Sequence, residues 1–197
     1  MLACALTVAK TISMLQEWLY TTVLVFSSLI LVNAVFARGV SKRRPDIREF
    51  LCTRERIWTY KTNTSEYVQC KVDRVTSISQ TSIIFRRYYF YDEQHHWTKK
   101  KLQGIFSAEQ CDVMQVRNLD NIFLSMEKLL YMTRKYGCAV MMVTRAQYGR
   151  EPYYELRVWE SFLKQRPNLK CVREFQKHAH KGQTIYEPFC HHILLIR

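Results

Sequence analysis

From Ile57 to Trp159 the chain is a succession of short segments rich in β-branched and aromatic residues, broken by Asn, Ser, Thr and Gly. Residues 57–60, 67–75 and 82–91 lead the series, and 97–106 continue it less cleanly. Residues 138–144 and 153–159 form a pair joined by a hairpin loop over 147–152. The stretch 118–131 reads two ways: Ile122, Met126, Leu129 and Leu130 suit a helix, while a strand fits the surrounding rhythm. Before the strands, Asp46 caps a short helix over 47–51. After Pro167, Leu169, Val172, Phe175 and Ala179 recur at helical spacing, and Gly182 provides the stop. The plan is all-β with a C-terminal helix. An antiparallel sheet of about eight strands most simply closes into a barrel, which removes its edges and can hold one small ligand.

Residues 18–37 are twenty residues without a charge, preceded by Lys10 and Glu17 and followed by Arg38, Lys42, Arg43 and Arg44. A secretory signal would be cut after Ala37, where Val35 and Ala37 are small. A membrane anchor is the competing reading, with the basic cluster holding the remainder in the cytoplasm. The cysteines favour secretion: beyond Cys4 there are six, none as CxxC, the usage of three disulfides in an oxidising compartment. The sequon Asn63-Thr64-Ser65 points the same way, with Asn63 as the glycosylation candidate. The expected organisation is a signal at 1–37, a basic linker at 38–45 and a folded domain at 46–197. That domain would be extracellular and monomeric, with no anchor after cleavage.

Removing residues 1–37 takes away one Lys and one Glu, so the formal charge stays at +13. Such a field favours anionic partners or simply keeps a surface solvated. Arg86-Arg87-Tyr88-Tyr89 and Trp97-Thr98-Lys99-Lys100-Lys101 interleave cations with rings, as single-strand binders do. The compartment argues against nucleic acid and leaves a heparin-like polyanionic glycan as the surface alternative. Neither GxGxxG nor GxxxxGK[ST] occurs, and GxSxG and HExxH are absent too. The paired histidines, His95-His96, His178 with His180, and His191-His192, diverge on a strand or helix. No enzyme activity, metal or cofactor is expected.

The residues Asp46-Ile47-Arg48-Glu49-Phe50-Leu51 followed by Ile57-Trp58-Thr59 resemble the start of the tick salivary lipocalins, the histamine-binding protein family. Cys138-Ala139-Val140, Tyr154-Glu155-Leu156, Pro167 with Cys171 and Phe175, and Cys190 continue the resemblance to the C-terminus. It implies a secreted eight-stranded lipocalin barrel with an outer C-terminal helix, which sequesters a host inflammatory mediator such as histamine, serotonin or an eicosanoid-type lipid. It also implies bonds Cys70–Cys190 and Cys138–Cys171, leaving Cys52 and Cys111 to pair by elimination. The family's amine signature has Asp where Ala139 stands and Trp or Tyr where Arg157 stands; only Glu155 matches at an ionisable position.

Strand alternation puts Glu155 and Arg157 on one face, so they are expected to pair. A carboxylate so neutralised is a poor site for a cation, whereas the guanidinium suits a lipid carboxylate. Trp58 is expected on the barrel floor. In the run 88–91, either Tyr88 and Phe90 or Tyr89 and Tyr91 point inward. The ligand set is taken as Glu155, Arg157, Trp58, Tyr88 and Phe90.

Overall fold

Eight antiparallel strands close on themselves: β1 (Arg56–Thr62), β2 (Val68–Ile78), β3 (Ser82–Tyr91), β4 (His96–Phe106), β5 (Val113–Asn118), β6 (Phe123–Thr133), β7 (Cys138–Arg145) and β8 (Tyr153–Trp159). Neighbours in sequence pair in order, and β1 pairs with both β8 and β2, which shuts the barrel. The computed structural model describes residues 16–28, 44–91, 96–146, 151–164 and 166–193. The chain divides into two units, 1–43 and 44–197. Within the first, residues 16–28 form helix α1. No helix among the described residues is long and apolar enough to cross a membrane. Residues 147–150 of the expected hairpin loop lie outside the described set, as do His95 and the side chains of Tyr91, His96 and His192.

The ambiguous stretch 118–131 resolves into the end of β5, a turn and most of β6. Its helical spacing is overridden by pairing on both edges, Val113 to Lys128 and Ser125 to Arg145 among the registers. Strand β5 was not anticipated from sequence. Helix α2 (Ile47–Leu51) starts as expected, with the Asp46 carboxylate accepting from the Arg48 N–H at 2.9 Å. Its Ile47, Phe50 and Leu51 are buried against Ile57, Phe85 and Leu129 of the barrel interior, so the helix plugs one end. Phe50 stacks on Trp159, whose indole N–H donates to the Phe50 carbonyl at 3.1 Å.

Outside the barrel, helix α3 (Leu169–His178) is capped by Asn168, whose Oδ1 accepts from the Lys170 N–H. It buries Cys171 and Phe175 against Cys138, Val140 and Val158. The chain then returns to the sheet. Strands β2 and β1 pair only at Arg56–Trp58; beyond that, β9 (Gln183–Thr184) takes the same edge of β1 at Lys61 and Thr62. Ile185 bridges the gap, donating to the Tyr60 carbonyl and accepting from the Cys70 N–H. Cys70 has φ of 51° where β2 departs from its register with β3.

The structure contains Cys70–Cys190, which ties β2 to helix α4 (Cys190–Ile193), and Cys138–Cys171, which ties β7 to α3. Cys52 and Cys111 are free thiols and do not form the third bond expected by elimination. Cys111 lies at the start of α2, its carbonyl accepting from Ile47 and its thiol directed at Pro45, whereas Cys52 caps the helix end. One end of this helix is about 8 Å from the other, further than a disulfide spans.

Candidate ligand site in the barrel

Alternation along each strand sorts the barrel interior into three layers. On β3, Ile83 and Phe85 join the apolar floor, Arg87 stands above them, and Tyr89 reaches a cavity. On β8 the order runs Trp159, Arg157, Glu155, Tyr153; on β6 it runs Leu129, Glu127, Ser125. On β2, Asp73 and Lys71 complete the middle layer. That layer holds three acids and three bases, all buried: Asp73, Glu127 and Glu155 with Lys71, Arg87 and Arg157.

These six form one connected network. Arg157 donates through Nε to Glu155 Oε2 at 2.8 Å and through Nη1 to Glu127 Oε2 at 2.6 Å. Arg87 takes Asp73 with a two-pronged grip at 2.7 Å on each oxygen and adds Glu127 Oε1 at 3.0 Å. Lys71 Nζ lies 2.5 Å from Glu155 Oε1. Planar guanidinium forks are the side chains that can bridge two carboxylates in fixed geometry.

Burial alone would raise the Glu155 pKa, but Lys71, Arg157 and Arg87 outweigh it and bring it down to about 2. Burial likewise works against Glu127, and Arg157 and Arg87 push its pKa well below the ordinary carboxylate range. Lys71 is lowered, because burial outweighs the pull of Glu155. Arg157 is raised: burial opposes its charge, and Glu127 and Glu155 prevail.

Above the network lies a cavity of about 160 Å³. Lys71, Arg87 and Glu155 face it from the charged layer, with Tyr89, Tyr153 and Ser125 around them. Arg145 and Lys100 stand toward the mouth; Arg145 is ion-paired with Glu66 and stacked 4.9 Å over the Tyr153 ring. Glu155 is thus at the cavity and paired with Arg157, as strand alternation predicts. Arg157 lies two residues deeper along β8, at the lower side of the charged layer, and does not line the cavity.

Three expected residues lie elsewhere. Trp58 sits in the outer layer between barrel and C-terminal segment, its ring 5.2 Å from Tyr186 and 5.1 Å from His191, because Ile57 takes the inward position. Tyr88 and Phe90 also face outward: Tyr88 packs in that layer beneath Lys99, and Phe90 lies against Trp97. The inward ring is Tyr89, the other member of the alternation. Asn63 uses its side chain structurally, Oδ1 accepting from the Tyr154 N–H at 2.6 Å. Lys71, Asp73, Arg87 and Glu127 were not anticipated. On β2 the signal is a pair of charges at alternate positions, Lys71 and Asp73, whereas Arg87 and Glu127 are single charges on the inward faces of β3 and β6. Among the described residues no group of three or more His, Cys, Asp or Glu could hold a metal.

No family model matches the chain, and no curated protein matches its sequence. Among solved structures it is similar to Japanin from Rhipicephalus appendiculatus bound to cholesterol, with TM-score 0.51 and 10% identity over 72% of this chain and 96% of that one. It is similar to AM182 in its serotonin complex, with TM-score 0.51 and 15% identity over 70% and 85%. Apocrustacyanin C2 matches with TM-score 0.52 and 9% identity over 78% and 87%. At such identities the likeness is one of fold, and it completes the assignment: a closed eight-stranded antiparallel barrel with a C-terminal helix, the architecture of the lipocalins.

Proposed function

We propose that this barrel sequesters one small host inflammatory mediator, in saliva outside the cell, and that it grips the mediator by a carboxylate rather than by an amine. The observation that supports this reading is the unequal state of the charges lining the cavity. Glu155 is already neutralised by Lys71 and Arg157, and Glu66 by Arg145. Lys71 uses one of its three donors on Glu155, and the Nη1 of Arg87 has no partner among the described residues. A cation entering here would meet spoken-for carboxylates and lose its hydration without return. A carboxylate would meet Lys71 and Arg87 at the floor with Arg145 and Lys100 around the mouth.

The cavity volume sets the scale of the buried part. About 160 Å³ is close to the space that encloses one benzene ring, so a head group is enclosed and an eicosanoid chain leaves through the mouth. The cholesterol and serotonin held by Japanin and AM182 are consistent with small ligands in barrels of this fold. Two disulfides fit an oxidising compartment. Arg157 acts from beneath, as a positioning residue that fixes Glu155 and Glu127.

Calorimetric titration of the oxidised protein with histamine, serotonin and a carboxylated eicosanoid tests this directly. The eicosanoid is expected to bind. Lys71→Met is expected to weaken it roughly tenfold or more, the worth of one charge-assisted hydrogen bond. Binding of an amine with no binding of the eicosanoid would overturn the carboxylate assignment.

A further inference from the structure

The outer face of the barrel carries a row of cations set directly opposite one another across four strands. Arg56 of β1 faces Arg74 of β2, Arg74 faces Arg86 of β3, and Arg86 faces Lys101 of β4. Directly opposed residues share one face of a sheet, and neighbouring strands are about 4.8 Å apart. Only Arg56 has an acidic partner among the described residues, Glu160 at 3.0 Å, which closes that end of the row. Arg74, Arg86 and Lys101 are exposed and have no carboxylate within ion-pair distance among the described residues. Lys99 adds a further exposed cation one rung along, and a groove beside Arg74 is lined by Arg54, Thr76 and Ser77.

Like charges directly opposite on a sheet are destabilising, so folding alone gives no reason for the row. A linear polyanion lying across the strands would turn each repulsion into an attraction. The rings beside the row decide which polyanion. Single-stranded nucleic acid needs open aromatic faces on which bases stack. Here the Tyr88 ring carries the Lys99 ammonium at 5.7 Å, and Phe90 and Trp97 pack on one another, tilted by 49° with centroids 5.5 Å apart. Among the described residues the face therefore offers dense positive charge and hydroxyl donors, and its rings Tyr88, Phe90 and Trp97 are already engaged with an ammonium or with each other. Two disulfides fit an oxidising compartment, and outside the cell sulfated glycans are abundant linear polyanions. From this we infer that the β2–β4 outer face is a docking surface for a sulfated glycan chain, with Arg74, Arg86 and Lys101 as its central contacts, independent of the cavity.

The test uses a size-defined heparin oligosaccharide. Arg74→Gln, Arg86→Gln and Lys101→Gln together are expected to weaken binding at least about tenfold at roughly 0.15 M salt, and to lower the slope of log affinity against log salt by about three. A control removing Lys170, Arg173 and Lys181, exposed cations elsewhere on the domain, loses the same charge and is expected to change affinity about twofold or less. Equal losses in the two triple variants would overturn the site, leaving net charge alone. Tighter binding of a single-stranded oligonucleotide, or of phosphatidylserine vesicles, through the same three residues would overturn the glycan assignment.

Arg86→Glu separates a binding role from a structural one. It sits between Arg74 and Lys101, so it is expected to raise the thermal midpoint by about 2 °C or more while weakening heparin. A lowered midpoint would show that Arg86 supports the fold and would remove the premise. Eicosanoid affinity is expected to be unchanged in all these variants.

Discussion

Arg157 shows how far a single residue can be read from sequence. Its spacing from Glu155 places the two on one face of a strand, and the pairing at 2.7–2.8 Å follows. What spacing could not give is depth. Arg157 faces Ala139 across β7, where an alanine leaves room for a guanidinium, and its second partner Glu127 comes from β6, a strand away. Glu127 lay hidden in a stretch whose periodicity suited a helix as well as a strand. For Trp58 and the 88–91 run, alternation gives the two faces but not which one is inside; that parity is settled by closure and by α2 filling one end. Because Arg157 is wholly buried between two carboxylates, Arg157→Ala is expected to destabilise the protein by about 3–5 kcal/mol, by leaving Glu127 and Glu155 undercompensated. Urea unfolding measures this. A loss below about 1 kcal/mol, with intact folding, would mean that Arg87 and Lys71 suffice to neutralise both acids.

At the level of elements, the strand series was legible because β-branched and aromatic runs are physically suited to a pleated, half-buried surface. β5 is hard to read from sequence because its six residues carry Gln115 and Arg117 on the outer face and follow a polar turn. The C-terminal segment was legible as a helix, but its return to the sheet was not. β9 is two residues long and polar, and its place is set by the gap between β1 and β2. The two disulfides hold this returning segment. Chain entropy assigns about 4 kcal/mol to Cys138–Cys171, with separation 33, and about 5 kcal/mol to Cys70–Cys190, with separation 120. Removing Cys138–Cys171 by paired serine substitutions is therefore expected to lower global stability and to collapse hydrogen-exchange protection first in α3. Uniform loss of protection would instead mean that α3 and the barrel open as one unit. Alkylation of the denatured, unreduced protein, followed by peptide mass analysis of residues 44–197, is expected to label Cys52 and Cys111 and no other cysteine.

Across the whole molecule, a chain of formal charge +13 folds around an interior that balances three acids with three bases. The surplus positive charge therefore belongs to the surface, and the interior is neutral only while its carboxylates are ionised. This gives stability a definite dependence on acid. Glu155 has a folded-state pKa of about 2 against an ordinary 4.5, and Glu127 is held lower still. Between those values the unfolded chain binds protons that the native state refuses, so stability is fully present above about pH 4.5 and is lost as pH falls toward 2. The midpoint in urea should be nearly level from about pH 7 to 5 and drop below that, as native carboxylates resist protonation. Glu155→Gln removes one of the two groups and should make the acid limb shallower, at the cost of lower stability near neutrality because Lys71 loses its partner. An acid limb with the same slope in Glu155→Gln would remove Glu155 from the dependence and leave it to Glu127 and the surface carboxylates. A shallower one would locate it in the buried layer that forms the floor of the cavity, and would tie the acid stability of the barrel to the same charges that are proposed to receive the ligand.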